Sequence, residues 1–569
     1  MFTLAAGSAG AQQQTLIDVS ITGLETILLQ NVQSQLCLER KDVERMTERM
    51  VTDCYDKADE EIQKALEPFG YYSPVIEKSL TREGTLWKAW FNVIPGKPVR
   101  VAEIDIQLSG PGRGEPTLAE PVSRFPLHKG DILDHQLYEQ GKKELVEKAI
   151  AGGYRDAVFN RNIVKVDREN RLASIMLSLA TGPRYFFGPT TFEADFLNKN
   201  LLRRMLPYAE GDPFSPRQII QLRQGFFNSD YFSTVEVKTD DVLPGTVHVP
   251  VTVSLRPKNP NKYGLGVGYG TDTGFRGSLE WTNRRLNRYG HQFNMQLQPS
   301  ERKNNFGMAY TIPIYDPRTD RLAILGKWEK EDFDNTSSEA RNMTISYDHI
   351  SGTGDYSVYL EYLDADYEIG LEAGHATLLK PGIRSTWRLA DDRLKTKNGI
   401  RVTVDLTGSS EDVVSDATFL QASLSAKAIL TFFKQWRVIG RFQLGGTLVD
   451  SLSELPPSLR FYAGGDQSVR GYAYKSIGPT DSAGNVIGAR HLVAYSLELE
   501  RKLFGNWSAA IFFDSGDAPD ALTDLRMKNG AGVGIRWNAP FGQVRLDVAD
   551  AISEGKSSWR IHFTVGADL

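Results

Sequence analysis

From residue 261 to residue 569 the chain carries no helical periodicity, and its apolar residues recur at every second position. Phe293, Met295 and Leu297 alternate with Gln292, Asn294, Gln296 and Gln298, and Met343, Ile345 and Tyr347 with Asn342, Thr344 and Ser346. Ile400, Val402, Val404 and Leu406 alternate with Arg401, Thr403, Asp405 and Thr407, and Leu420, Ala422, Leu424, Ala426 and Ala428 with Gln421, Ser423, Ser425 and Lys427. A period of two is that of a strand with one apolar and one polar face. A single such strand also fits a soluble sandwich. Many of them, each about ten residues long with aromatics near the ends, fit a transmembrane barrel with a polar lumen better.

Composition permits that reading and removes others. At 41% hydrophobic and 24% charged residues over 569 positions, the chain is a folded protein rather than a disordered one. Its length suggests roughly three to five units. No uncharged apolar run approaches the roughly 20 residues of a membrane-spanning helix. A mean hydropathy of −0.34 does not count against a barrel, whose strands turn only alternate residues to lipid. Abundant glycine (51), tyrosine (22) and phenylalanine (27) point the same way. A net charge of −5 speaks against a nucleic-acid partner.

Before residue 260 the pattern is mixed and repeats itself. Gly70-Tyr71-Tyr72-Ser73, Gly153-Tyr154-Arg155-Asp156 and Asp230-Tyr231-Phe232-Ser233 each close a helical stretch and open a strand. Gly130-Asp131 and Gly211-Asp212 each precede a helix, and Pro95-Gly96-Lys97-Pro98 and Thr181-Gly182-Pro183-Arg184 join one unit to the next. A period of about 80 residues means three similar α+β units. Each is expected to run strand, helix, helix, strand, strand. In the second, these are a strand over Val101–Leu108, a helix over Leu137–Ala151 ended by Gly152-Gly153, and a hairpin over Val158–Val166 and Leu172–Leu179. The expected division is 12–97, 98–183 and 184–260 for the three units and 261–569 for the barrel.

Residues 1–11 are small and apolar, and Ala9-Gly10-Ala11 has the form of a signal-peptidase site. They read as the remnant of a secretory signal, the alternative being an unprocessed terminus. Cys37 and Cys54 fall in two successive helical patterns, Cys54 on the apolar face with Val51, Ala58, Ile62 and Ala65. In an exported protein an even cysteine count favours a disulfide, which closes a loop worth about 3 kcal/mol; the alternative is two buried thiols.

Strand parity in the last hundred residues brings charges together. Ser496, Glu498 and Glu500 share the inward face of one strand, Phe512, Asp514 and Gly516 that of the next, and Gly530, Gly532, Gly534 and Arg536 that of a third. Upstream lies a long loop, Gly464 to Tyr472, containing Val469-Arg470-Gly471-Tyr472. Alternate inward glycines leave room that something must fill. Arg470, entering a pocket made by Glu498 and Asp514, satisfies both space and charge.

At these residues the chain resembles the POTRA-plus-barrel outer-membrane assembly proteins. Val469-Arg470-Gly471-Tyr472 looks like their loop motif, Phe512-x-Asp514-x-Gly516 like their F-x-D-x-G strand, and Gly532-x-Gly534-x-Arg536 like the G-x-G-x-R strand that follows. The three upstream units resemble POTRA domains, and the whole is most similar to the translocation-and-assembly branch of the family. The resemblance implies sixteen antiparallel strands, an outer-membrane location with periplasmic POTRA domains, and insertion or secretion of unfolded outer-membrane clients of the autotransporter type. It also implies a TamB-like partner anchored in the inner membrane. No cofactor is expected, and with eight scattered histidines no metal site is expected either.

Other classes fit less well. A two-partner secretion transporter, the closest alternative, usually has two POTRA units and an N-terminal plug helix; the general assembly subunit usually has five units. A simple porin has no such array. No G-x-S-x-G elbow, H-E-x-x-H or paired C-x-x-C occurs, so no enzyme is expected. Gly264-x-Gly266-x-Gly268 superficially matches a dinucleotide loop, but no helix follows it. These glycines instead take every inward position of the first barrel strand, Tyr263 to Gly270. The final strand alternates Ile561, Phe563 and Val565 outward with Arg560, His562 and Thr564 inward. A strand with no inward side chains has a weakly specified register, so these two strands are the expected lateral seam. The competing reading is that the glycines make space for the Arg470 loop.

Overall fold

The computed structural model describes residues 16–39, 47–84, 86–240, 242, 245–270, 274–333, 336–392, 396–433, 435–539, 542–554 and 559–566. The expected leader remnant, 1–11, lies outside them.

Three units repeat one order of elements. The first contains β1 (Leu16–Thr22), α1 (Thr26–Gln35), α2 (Glu48–Leu66), β2 (Val75–Glu83) and β3 (Leu86–Ile94). The second contains β4 (Arg100–Ser109), α3 (Pro116–Ser123), α4 (His135–Ala151), β5 (Val158–Asp167) and β6 (Leu172–Ala180). The third contains β7 (Phe186–Glu193), α5 (Lys199–Arg204), α6 (Pro216–Asn228), β8 (Phe232–Thr239) and β9 (His248–Pro257). The sheets run β1-β3-β2, β4-β6-β5 and β7-β9-β8. In the first two units the last two strands form an antiparallel hairpin, while the opening strand lies parallel to the central one. A parallel pair needs a crossover, and the helix pair supplies it.

Local chemistry sets the helix limits. Thr47 caps α2 by accepting from the Met50 amide at 3.4 Å, and Asp134 caps α4 by accepting from Gln136 and Leu137 at 2.7 and 3.1 Å. Helix α2 buries Val51, Cys54, Ala58, Ile62, Ala65 and Leu66 against Phe91 and Val93 of β3. Cys37 and Cys54 are disulfide-bonded. Cys37 sits outside the helix that its spacing suggested: α1 stops at Gln35 and Cys37 opens a 3₁₀ turn, which swings its sulfur towards α2.

The repeated turn after each second helix needs a left-handed backbone. Glycine takes it in the first two units (Gly70, φ +88°; Gly153, φ +99°), but the third has Asp230 at φ +63°. The side chain accounts for the exception. Lys258 Nζ and Arg284 Nε each lie 2.5 Å from an Asp230 oxygen. Burial alone would raise this carboxyl; the hydrogen bonds from Lys258 and Arg284 outweigh it and hold the group below the ordinary aspartate range.

The remaining strands form one antiparallel sheet of sixteen in sequence order. They are β10 (Asn261–Gly270), β11 (Gly274–Asn283), β12 (Gln292–Gln298), β13 (Lys303–Pro313), β14 (Asp320–Phe333), β15 (Thr336–Ile350), β16 (Gly354–Ile369) and β17 (Glu372–Ala390). There follow β18 (Gly399–Ser409), β19 (Phe419–Phe432), β20 (Trp436–Val449), β21 (His491–Phe504), β22 (Trp507–Asp517), β23 (Lys528–Ala539), β24 (Gly542–Ala551) and β25 (Trp559–Gly566). The sheet curls into a barrel with its apolar residues outside: Leu265, Ile383, Leu497, Ile511 and Val533 are all exposed, while Glu498, Asp514 and Arg536 are buried inside. The wall is uneven. Strands β14 to β17 have 14 to 19 residues, whereas β10, β12 and β25 have 10, 7 and 8.

Candidate functional site

Cross-strand register builds a pocket on the inner wall from four neighbouring strands. Ser496, Asp514, Gly530 and Ala551 form one row across β21 to β24, and Glu498, Phe512, Gly532 and Ala549 the next. A third row holds Glu500, Ala510, Gly534, Asp547 and His562, the last on β25. The first row is small at its β23–β24 end, and there the 450–490 loop lays down its backbone. A side chain on Gly530 would strike the carbonyl of Arg470, and a Cβ on Gly516 would come within 2.9 Å of Val469. Gly471, at φ +97°, lies so close to Asp550 and Ala551 that a Cβ would meet their backbone at 2.8–2.9 Å; its amide donates to His562 Nε2 at 3.2 Å. Tyr472 is buried with Val469, Ile477 and Ala551.

Arg470 is fixed on all sides. Its Nε and main-chain amide donate to Asp514 Oδ2 at 2.7 and 3.0 Å, and its Nη2 to Asp514 Oδ1 at 2.9 Å. Nη1 reaches Glu498 Oε2 at 2.9 Å and Asp547 Oδ2 at 3.0 Å. The guanidinium lies over the Phe512 ring, 3.4 Å from its centroid. Arg536 backs the pocket, donating to Glu498 Oε1 at 2.8 Å and Asp547 Oδ1 at 2.5 Å. The side chains of Arg470, Glu498, Asp514 and Asp547 are at most 6% exposed. A buried charge is tolerable only when paired and hydrogen-bonded, and here each cation bridges carboxylates on different strands. The arrangement holds a loop to a wall; it contains no nucleophile–base pair, and no group of side chains that could hold a metal ion occurs among the described residues.

The structure brings Arg470, Glu498, Phe512, Asp514 and Arg536 together and places the glycines around them. Gly532 accommodates the Phe512 ring, and Gly534 the carboxylate of Asp547 and the guanidinium of Arg536. Asp547 was missed by the sequence reading, although the alternation of Val544, Leu546 and Val548 with Arg545, Asp547 and Ala549 marks it as inward. Arg441 was also missed: its Nη1 holds the Asp466 carbonyl at 3.1 Å and its Nη2 lies 3.7 Å from Asp514.

The seam glycines lie elsewhere on the barrel. Gly264, Gly266 and Gly268 face in on β10, but the loop does not occupy their space. The nearest atoms belong to Glu280, Ser278 and Arg276, their cross-strand partners on β11. The reading that these glycines admit the Arg470 loop is therefore overturned. Among the described residues no ladder joins β10 to β25, although every other neighbouring pair in the sheet is bonded. A cavity of about 740 Å³ opens there, with Val267, Phe563 and Val565 on its lipid side and Arg276 and Lys303 on its lumen side. Ile561 stands exposed on the outer face of β25.

Comparison with known proteins places this geometry. The Omp85 superfamily domain matches residues 258–568, and the chain belongs to that superfamily. It is an outer-membrane barrel preceded by periplasmic POTRA domains. The model for POTRA domain TamA domain 1 matches residues 18–95, and the POTRA model described as surface antigen variable number repeat matches 186–258. The outer membrane protein assembly factor BamA of Nitratidesulfovibrio vulgaris is 25% identical over 393 residues, covering 64% of this chain and 49% of that protein. BamA of Neorickettsia risticii is 22% identical over 391 residues, covering 63% and 51%. The chain thus spans about half the length of the curated relatives it matches. The crystal structure of Haemophilus ducreyi BamA lacking POTRA domains 1–3 superposes with a TM-score of 0.66 at 16% identity, over 82% of this chain and 99% of that one, which shows the shared fold.

Proposed function

We propose that this protein is an assembly factor that inserts or secretes β-barrel and autotransporter-type clients by strand exchange at the seam between β10 and β25. The observation that carries the reading is the sixteen-stranded sheet whose ladders run unbroken from β10 to β25 and stop there. Among the described residues each edge strand has a sheet neighbour on one side only, and an open strand edge is a template for a client strand. From Tyr263 onward strand β10 has only glycine at its inward positions, so little holds its register and pairing with a client costs little packing. No covalent chemistry or nucleotide is required, because hydrogen bonds are exchanged rather than made anew.

The three POTRA units, divided at about residues 97, 183 and 260, would receive extended clients along their open sheet edges. The match of the first unit to TamA domain 1 supports placing the protein in the TamA branch, with a TamB-like protein anchored in the inner membrane as partner. The Arg470 pocket is read as the loop anchor that keeps β21 to β24 a fixed wall while the seam moves.

The test is reconstitution of the full chain in phospholipid vesicles with a urea-unfolded barrel client, following client folding by its heat-dependent gel shift. Faster folding than with empty vesicles is expected for several unrelated clients. Equal rates with and without the protein would refute the assembly reading, and acceleration of one dedicated passenger alone would favour two-partner secretion. Crosslinking in envelope fractions tests the partner, which should be a TamB-like protein captured through the POTRA units.

A further inference from the structure

Five residues beyond Arg470 the same loop is fastened a second time, on the opposite side of the seam. Lys475 Nζ lies 2.7 Å from Glu331 Oε2 on β14. The other Glu331 oxygen takes Lys303 of β13. The Lys475 ammonium lies between the rings of Tyr462, Tyr474 and Phe333, 5.2, 5.4 and 5.8 Å from their centroids. Its backbone is left-handed, φ +56°, a conformation that a lysine keeps only where its surroundings impose it.

The sheet order gives this second attachment its meaning. Arg470 is held by β21, β22 and β24, and Lys475 by β14. One arc between β24 and β14 runs through β25, the open seam and β10 to β13; the other runs through β15 to β23. Residues 470–475 therefore span the arc that contains the seam. Fully extended, that segment reaches no more than about 20 Å. The two walls cannot move far apart unless one end lets go.

The ends are unequal. Arg470 engages three carboxylates in a pocket closed to water, and its departure would leave Glu498 and Asp547 to share Arg536 and Asp514 with only Arg441 at 3.7 Å. Lys475 engages one carboxylate, its side chain is 17% exposed, and after it leaves Glu331 still has Lys303. A lysine is a flexible point charge without the fixed fork of an arginine.

We propose that residues 470–475 form a strap across the seam, fixed at Arg470 and releasable at the Lys475–Glu331 pair, so that widening of the seam is coupled to breaking that pair. Its consequence for client assembly rests on the gate reading above; the strap itself is a property of the barrel alone.

The test uses the full chain in vesicles with spin labels at outward-facing Val267 and Ile561, reading their distance distribution. Lys475→Met removes the charge and keeps the bulk. The wide population is expected to rise roughly tenfold, the factor that follows from losing one charge-assisted hydrogen bond. Lys475→Arg should restore the wild-type distribution. A heat-dependent gel shift reports whether each variant is folded. Glu331→Gln, which weakens the pair from its other side, provides a second reading and should also widen. An unchanged distribution in folded Lys475→Met, or in folded Glu331→Gln should the first variant not fold, overturns the strap. Widening with client assembly unaltered leaves the strap standing and refutes the gate reading instead.

Discussion

Two glycine ladders with the same spacing lie in this barrel and do opposite things. On β23, Gly530, Gly532 and Gly534 are filled from within by the Arg470 carbonyl, the Phe512 ring and the Asp547 carboxylate. On β10, Gly264, Gly266 and Gly268 meet only the side chains of β11. The first ladder gives up strand packing and regains it from the loop at Gly530 and from β22 and β24 side chains at Gly532 and Gly534, so β23 is held on both edges and on its face. The second has one paired edge and an inner face covered only by its neighbour's side chains. Alternate glycine therefore encodes either an anchor or a release point, depending on whether another segment reaches it.

The contrast is broken most forcefully at the anchor. Arg470→Ala leaves Glu498, Asp514 and Asp547 without their shared cation and is expected to cost ~3–5 kcal/mol, seen as loss of the heat-resistant folded form. Arg341→Ala, at a side chain 58% exposed, should stay within ~0.5 kcal/mol. Next in size is Gly530→Val, which drives a side chain into the Arg470 carbonyl. Overpacking of this kind costs ~1–3 kcal/mol, and limited proteolysis should then cut the loop near 464–475.

The same kind of change on β10 should go the other way. Gly268→Ala meets Arg276 Nε, the movable end of a side chain, at 3.1 Å. Relief of glycine's backbone entropy should then stabilise β10 by ~0.5–1 kcal/mol, measurable as slower hydrogen exchange along the β10–β11 hairpin. The smallest expected effect concerns the base of that hairpin, where Asp230 holds Lys258 before β10 and Arg284 after β11. Its folded pKa is depressed, so its contribution is complete above the unfolded aspartate value near ~3.9 and is lost as pH falls through the folded value. Exchange at residues 284–290 should rise on acidification in the wild type, and Asp230→Asn should show that rise already at neutral pH.

Much of this was legible in the sequence because parity in a strand is a strict rule. Ser496, Glu498, Asp514 and Arg536 follow from counting by two, and the same count applied to β24 reaches Asp547. The repeat turns at Gly70 and Gly153 are equally direct, since their left-handed backbone favours glycine. Asp230 breaks that rule for the sake of a contact more than fifty positions away, which no local pattern contains. Lys475, Glu331 and Arg441 were invisible for the same reason: the loop has no period, and its partners are chosen by barrel closure. The fate of each glycine ladder likewise depends on which neighbour fills it.

In the proposed function β10 and β25 separate to admit a client strand. Cysteines placed at Leu265 and Phe563, on the outer faces of the two edge strands, can be joined by a disulfide or a short bismaleimide and tested in the vesicle assay. The joined protein is expected to keep its heat-resistant fold and lose client assembly, and reduction of the disulfide is expected to restore it. Assembly at an equal rate in the joined and open forms would contradict the proposal.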